Sequence, residues 1–181
     1  MKPTIKQLTL RAKKVKMLLL DVDGILTDGI VHILPDGEEF YSFNVYDGYG
    51  IKLWQREGFR CAFITGRGAR AVLVRATKLG VHHVYQNAGD KLAICEEIAK
   101  NEGIALSEMA FMGDDIQEIP ALKNVGLAIS VPNGRAEVHA VAHMVTKTSG
   151  GHGAVREVVE FLLKAKGLWK SIVGAERISS Q

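Results

Sequence analysis

Two carboxylates one residue apart, Asp21 and Asp23, end an abrupt apolar run, Met17-Leu18-Leu19-Leu20. Farther along, Phe111-Met112 leads through Gly113 into a second pair, Asp114 and Asp115. Clustered carboxylates repel one another unless a cation relieves them, and a donor set made only of oxygens suits a hard ion such as Mg2+. Two other fragments carry the opposite charge. Phe63-Ile64 delivers Thr65-Gly66-Arg67, which is a hydroxyl, a permissive backbone position and a guanidinium. Backbone N–H groups entering a helix at such a place can hold a phosphate, although Thr65 would serve equally as a plain N-cap. Lys91 follows Asp90 at a helix start, where the helix dipole disfavours a cation, so it is expected to face a ligand, with a plainly solvated lysine as the alternative.

These groups act together only if the chain brings them to one place. The run before Asp21 reads as an inner parallel strand, and residues at i and i+2 of a strand point to one side. Asp21 and Asp23 are then expected in one crevice at the carboxyl end of the strand, where open α/β sheets place their ligands. Strands are expected at 16–22, 60–64, 109–112 and 125–129, with short ones near 83–85 and 143–145. Helices are expected near 4–14, 48–57, 69–79, 90–103, 115–123, 134–141 and 153–165. That alternation predicts an α/β fold, a doubly wound and mostly parallel sheet with helices on both faces.

Residues 29–44 break the rhythm as two short strands around Pro35-Asp36-Gly37, a β-hairpin inserted after the first strand. Its Ile30, Ile33, Phe40 and Phe43 are too many apolar groups to leave in water, so a partner surface is implied. A homo-oligomer built through the hairpin is expected, with a lid folded over its own domain as the alternative. Residues 1–165 are expected to form one domain, and 166–181, where periodicity fades, a flexible C-terminal tail.

The chain has 181 residues, 47% of them hydrophobic, and a net charge of +3. It is long enough for one well-buried domain and short for two. The basic cluster Arg11, Lys13, Lys14 and Lys16 lies on an amphipathic pattern and reads as a solvated helix face, so no nucleic-acid partner is expected. Cys61 and Cys95 have no metal or redox spacing and read as buried thiols, which points to a reducing, cytoplasmic setting. No apolar stretch approaches the roughly 18 residues that span a bilayer, so no membrane partner is expected.

The order Asp21-Val22-Asp23-Gly24, Thr65-Gly66-Arg67, Asp90-Lys91 and Gly113-Asp114-Asp115 resembles the haloacid dehalogenase superfamily of phosphotransferases. That resemblance implies that Asp21 is the nucleophile and Asp23 the acid and base, while Thr65 and Lys91 hold the phosphoryl group. It places Mg2+ between the Asp21 carboxylate, the Asp23 carbonyl and Asp114, with Asp115 orienting the site from behind. From the N-terminal helix to about residue 165 the chain is similar to the 3-deoxy-D-manno-octulosonate 8-phosphate phosphatases. The likeness rests on Asp21 to Gly29, on the short hairpin in place of a large cap, on Asp47-Gly48-Tyr49-Gly50, and on Gly151 to Glu157. It implies an acidic sugar phosphate as substrate, a role in lipopolysaccharide precursor synthesis, and a tetramer whose hairpins meet around a central axis. Asn44, Val45, Tyr46, Asp47, Gly48, Lys52, Gly66, Arg67, Arg75 and Gln117, together with Asp23 and Lys91, are implied to line the sugar or phosphate pocket.

Relatives acting on nine-carbon sugar phosphates carry Glu where Arg67 stands, so Arg67 favours the octulosonate. Tyr46 stands where Arg is usual, Ala69 where Ser is common, and Glu118 where the motif ends in Asp. The Gly150–Gly153 turn reads either as a product-release element reaching a neighbouring site or as an interhelical loop. A non-catalytic phosphatase-like module would lack Asp21, Asp23 or Lys91, and all three are present.

Overall fold

The strand β1, Met17–Leu20, has no exposed residue, because both of its faces are covered. Leu18 and Leu20 enter one apolar cluster with Trp54, Val155, Val158 and Leu162. Met17 and Leu19 enter a second with Cys95, Ile98, Leu122 and Val138. The period of two that sorts a strand's side chains thus divides the core into two layers, one on each face of the sheet.

The structure, a computed structural model, describes residues 2–81 and 83–178. The strands β1, β4 (Arg60–Ile64), β5 (His83–Tyr85), β6 (Met109–Met112), β7 (Leu127–Ser130) and β8 (Met144–Val145) form one sheet in the order β5-β4-β1-β6-β7-β8. Every neighbouring pair is parallel. One face carries α1 (Ile5–Lys14), α2 (Val45–Arg56), α3 (Arg70–Leu79) and α7 (Ala154–Ala165), and the other α4 (Lys91–Glu102), α5 (Ile119–Asn124) and α6 (Ala136–Val141). The expected doubly wound sheet is therefore present. Its ligand-facing end is the carboxyl end of β1, β4 and β6, and β1 pairs with both of the others.

Between β1 and α2 stands a two-stranded antiparallel hairpin of β2 (His32–Ile33) and β3 (Glu39–Phe40). Gly37 takes φ +86° at its turn, a conformation open to glycine at little cost. Ile30, Ile33 and Phe40 stay exposed, whereas Tyr41 and Phe43 pack against the edge of the core.

The tail differs from expectation. α8, Trp169–Ile178, follows α7 after Gly167 at φ +79°, and Ile172 is buried in the core cluster. Arg156 lies 5.4 Å from the centre of the Trp169 ring and 5.5 Å from that of Tyr49. The segment folds because the α7 face gives Trp169 and Ile172 somewhere to go. Residues 179–181 lie outside the described residues.

Candidate active site

Asp21 sits one residue beyond β1, its N–H donating to the Met112 carbonyl at 3.1 Å. The chain then turns at Gly24, φ +83°. A Cβ there would stand 2.2 Å from Asp114 Oδ2, so glycine lets the β1 and β6 loops close on each other. Asp21, Asp23, Gly24, Gly29, Gly66, Arg67, Asp114, Asp115 and Gln117 line one cleft of about 330 Å3. A larger hollow of about 520 Å3 at the amino ends of the strands, with Lys2, Gln7, Arg11 and Lys14 in its wall, has no carboxylate in its lining.

Lys91, the first residue of α4, is buried. Asp90 caps the helix, accepting from the Leu92 and Ala93 N–H groups at 3.0 Å each. Lys91 Nζ donates to Asp21 Oδ1 and to Glu118 Oε1, both at 2.7 Å. Burial alone would lower the ammonium pKa, but the two carboxylates outweigh it and hold the pKa above its ordinary value.

Glu118 is fully buried at the end of a 3-10 turn, Ile116–Glu118. Its other oxygen accepts from the backbone N–H of Asp115 at 2.7 Å and of Asp114 at 3.2 Å. It thus ties the cation to the β6 loop. A Cβ at Gly113 would come within 2.8 Å of Glu118 Cγ, so this glycine makes room for the side chain. Asp115 lines the cleft, and its carboxylate caps the same turn through the Ile116 N–H at 2.8 Å.

One carboxylate oxygen each from Asp21, Asp114 and Glu118 fall within 4.8 Å of one another. Three carboxylates therefore face a single buried ammonium. Burial pushes the Asp21 carboxyl up to about 8 against the pull of Lys91. Burial, then the Glu118 and Asp115 charges, raises Asp114 to about 7. A divalent cation on the Asp21 and Asp114 oxygens would bring both carboxyls back to the ionised form, and hard oxygen donors with no sulfur or nitrogen among them fit Mg2+.

Across the cleft, Thr65 Oγ1 accepts from the Arg67 N–H at 3.1 Å and donates to Asp23 Oδ2 at 3.3 Å. The buried hydroxyl thus sets the direction of the half-buried Asp23 carboxyl. The structure brings Asp21, Asp23, Gly66, Arg67, Asp114 and Gln117 to one cleft, with Thr65 and Lys91 bonded to two of its carboxylates.

The rest of the proposed sugar pocket is placed elsewhere. Asp47 is buried and accepts from the Gly153 N–H at 3.2 Å and the Arg156 N–H at 2.8 Å. It caps the start of α7 rather than lining the cleft. Asn44 caps α2, and its carbonyl accepts from Arg75 Nη2 at 3.0 Å. Arg75 crosses Gly48 so closely that a Cβ there would stand 2.3 Å from Nη2. Val45, Tyr46 and Lys52 are exposed on α2. None of these seven residues lines the cleft.

Two contributors stood outside the expected site residues, Glu118 having been read only as a departure at the end of a motif and Asn133 not at all. Glu118 lies four residues after Asp114, a spacing that returns a side chain toward its own loop and could have been noticed. Asn133 bridges the Gly24 carbonyl at 3.1 Å and the Gly150 N–H at 2.9 Å, and no local pattern announces that. Through Asn133 the Gly150–Gly153 turn packs on the loop after β1 of its own chain, where a Cβ on Gly150 would meet the Gly24 oxygen at 1.7 Å.

Comparison with known proteins identifies the family. A family model for haloacid dehalogenase-like hydrolases matches residues 74–158. The 3-deoxy-D-manno-octulosonate 8-phosphate phosphatase of Escherichia coli K12 is 38% identical over 165 residues, covering 91% of this chain and 88% of the relative. The crystal structure of the Moraxella catarrhalis enzyme of that name, in complex with a magnesium ion, a phosphate ion and a KDO molecule, superposes with a TM-score of 0.93 at 38% identity. It covers 95% of this chain and 99% of its own. The cobalt-bound Haemophilus influenzae enzyme gives a TM-score of 0.85 at 31% identity, with 88% and 93% covered. The chain belongs to the 3-deoxy-D-manno-octulosonate 8-phosphate phosphatase family of haloacid dehalogenase-like hydrolases.

Proposed function

We propose that the chain hydrolyses 3-deoxy-D-manno-octulosonate 8-phosphate to 3-deoxy-D-manno-octulosonate and phosphate, with Mg2+ as cofactor, in the cytoplasmic synthesis of lipopolysaccharide precursors. The observation that carries this reading is the buried Asp21–Lys91–Glu118 arrangement beside Asp114 on the floor of a cleft whose rim holds Arg67. Asp21, the Asp23 carbonyl and Asp114 would hold the metal, which supplies positive charge against the incoming phosphate.

In the first half-reaction an Asp21 carboxylate oxygen attacks phosphorus as the bond from phosphorus to the sugar oxygen breaks. Asp23 gives its proton to the departing oxygen, and the phosphoryl group is left on Asp21. In the second, the Asp23 carboxylate takes a proton from water as the water oxygen attacks the same phosphorus, and phosphate leaves with Asp21 regenerated. Lys91, held by Glu118, keeps a positive charge beside the attacking oxygen throughout, and Thr65 keeps Asp23 aimed at the reacting oxygen. Arg67 suits the sugar carboxylate, because its planar fork binds such groups through paired hydrogen bonds.

The exposed apolar hairpin supports a homo-oligomer, a tetramer by likeness to the family. In that assembly Val45, Tyr46 and Lys52, exposed just after the hairpin, would be available to a neighbouring copy's cleft. The test is phosphate release from the octulosonate ester and from a nine-carbon acid-sugar phosphate, with Mg2+ or with chelator. Preference for the octulosonate that vanishes with chelator and in Asp21→Asn is the expected result. Release only from the nine-carbon ester would overturn the substrate and keep the chemistry.

A further inference from the structure

Arg67 is already occupied. Its Nη2 lies 2.6 Å from both carboxylate oxygens of Glu39, on β3 of the chain's own hairpin. The Tyr41 hydroxyl donates to Glu39 Oε2 at 3.3 Å. Glu39 and Tyr41 are two apart on an extended segment, so both reach the same side. The pair is partly open to water, with side-chain exposures of 41% for Arg67 and 31% for Glu39, which leaves room for another anion to compete.

The charges around the cleft make this pairing consequential. Asp21, Asp23, Asp114 and Asp115 line it, and Arg67 is the one cationic side chain among the described lining residues. Lys91 lies behind, committed to Asp21 and Glu118. A substrate with a phosphate at one end and a carboxylate at the other brings two anions, and Arg67 is the cation left for the second. Glu39 presents the same chemical group as that end of the substrate.

We propose that Glu39 is a resident stand-in for the substrate carboxylate, holding the hairpin to Arg67 until an acidic sugar phosphate takes its place. This rests on the function proposed above and goes beyond it by assigning a specificity role to a hairpin residue. The exchange is carboxylate for carboxylate, so Arg67 keeps a charge-assisted partner in both states. A phosphate ester with a neutral tail offers nothing to exchange and leaves the latch closed. On product departure Glu39 returns to Arg67 and competes with rebinding of the acidic sugar, so its cost in substrate affinity is matched by easier release. Glu39 acts through Arg67 and is a positioning residue.

The test compares wild type, Glu39→Gln and Glu39→Asp on 3-deoxy-D-manno-octulosonate 8-phosphate and on p-nitrophenyl phosphate, at saturating Mg2+. Glu39→Gln is expected to lower KM for the acidic ester roughly two- to fivefold, the range an exposed ion pair supports. Inhibition by free 3-deoxy-D-manno-octulosonate should tighten by the same factor, while KM and kcat on p-nitrophenyl phosphate stay unchanged. Glu39→Asp should fall between wild type and Glu39→Gln. In an Arg67→Ala background the Glu39→Gln effect should vanish. An unchanged or raised KM for the acidic ester in Glu39→Gln would overturn the exchange, even with wild-type preference for the octulosonate intact. A wild type that turns over the acidic ester no better than p-nitrophenyl phosphate would overturn the function itself, and the exchange with it.

Discussion

The loop after β1 and the hairpin that follows it are neighbours in sequence and opposites in construction. Asp21 is fixed by a strand buried on both faces, by Lys91 from α4 and, through Lys91, by Glu118 from the β6 loop. The hairpin is two strands of two residues each with its apolar side chains outward, and its ion pair to the cleft runs through Glu39 and Arg67. The proposed chemistry lies where three elements converge and are tied together through Lys91. On the proposal above, recognition of what carries the phosphate falls to an exposed segment of two short strands.

That contrast can be broken at its strongest point first. Asp21→Asn keeps the shape and removes the proposed nucleophile, so phosphate release should fall by more than about a thousandfold, with an unchanged circular dichroism spectrum. Lys91→Ala should combine a similar loss of turnover with lower stability. It strands Glu118 and Asp21 in the interior, and breaking a buried pair in this way costs about 3–5 kcal/mol, readable by urea unfolding without metal.

The metal-free fold should also respond to pH. Asp21 and Asp114 rise from 3.8 in the unfolded chain to about 8 and about 7 in the folded one. Between those values the folded state binds more protons than the unfolded state. Stability contributed by these groups is therefore lost as pH rises from about 4 toward about 8. Thermal midpoints measured in chelator should fall over that window, and Mg2+ should restore most at its upper end, where no protons need be displaced. A flat profile would mean that both carboxyls stay ionised without metal.

On the hairpin side the effects are smaller and of another kind. Phe40→Glu places a charge on an exposed apolar face and should shift the solution mass by light scattering toward smaller species. Activity per subunit should drop less than in either core variant. Unchanged mass would remove the hairpin from the interface.

Much of the first region was legible in the sequence because its signals are local. An apolar run ending in Asp21 and another ending in Gly113-Asp114 announce two strands by pattern alone, their adjacency coming from the fold, and the strands at 60–64, 83–85 and 109–112 lie where expected. Glu118 was seen only as a departure from a motif, because its importance comes from Lys91, 27 residues away. Asp47 misled for the same reason. Its place in the pocket was implied by the family resemblance, and only the fold shows the α7 amides that consume its carboxylate. α8 went unread because its burial depends on the α7 face and on Arg156 beneath Trp169, partners that no window around residue 170 contains.

The contact of Gly150 and Gly151 with the loop after β1 has a consequence for how the chain tolerates change. A Cβ on Gly150 would meet the Gly24 oxygen at 1.7 Å, and one on Gly151 the Asp28 nitrogen at 2.4 Å. Backbone, unlike a flexible side chain, has nowhere to retreat. In a saturation mutagenesis scan scored by survival, these two positions should accept glycine alone and look as intolerant as Asp21 itself, although neither can carry a proton or touch a phosphate. A map of intolerance would then mark the glycine turn and the proposed nucleophile alike, and only purified variants would tell the scaffold from the chemistry.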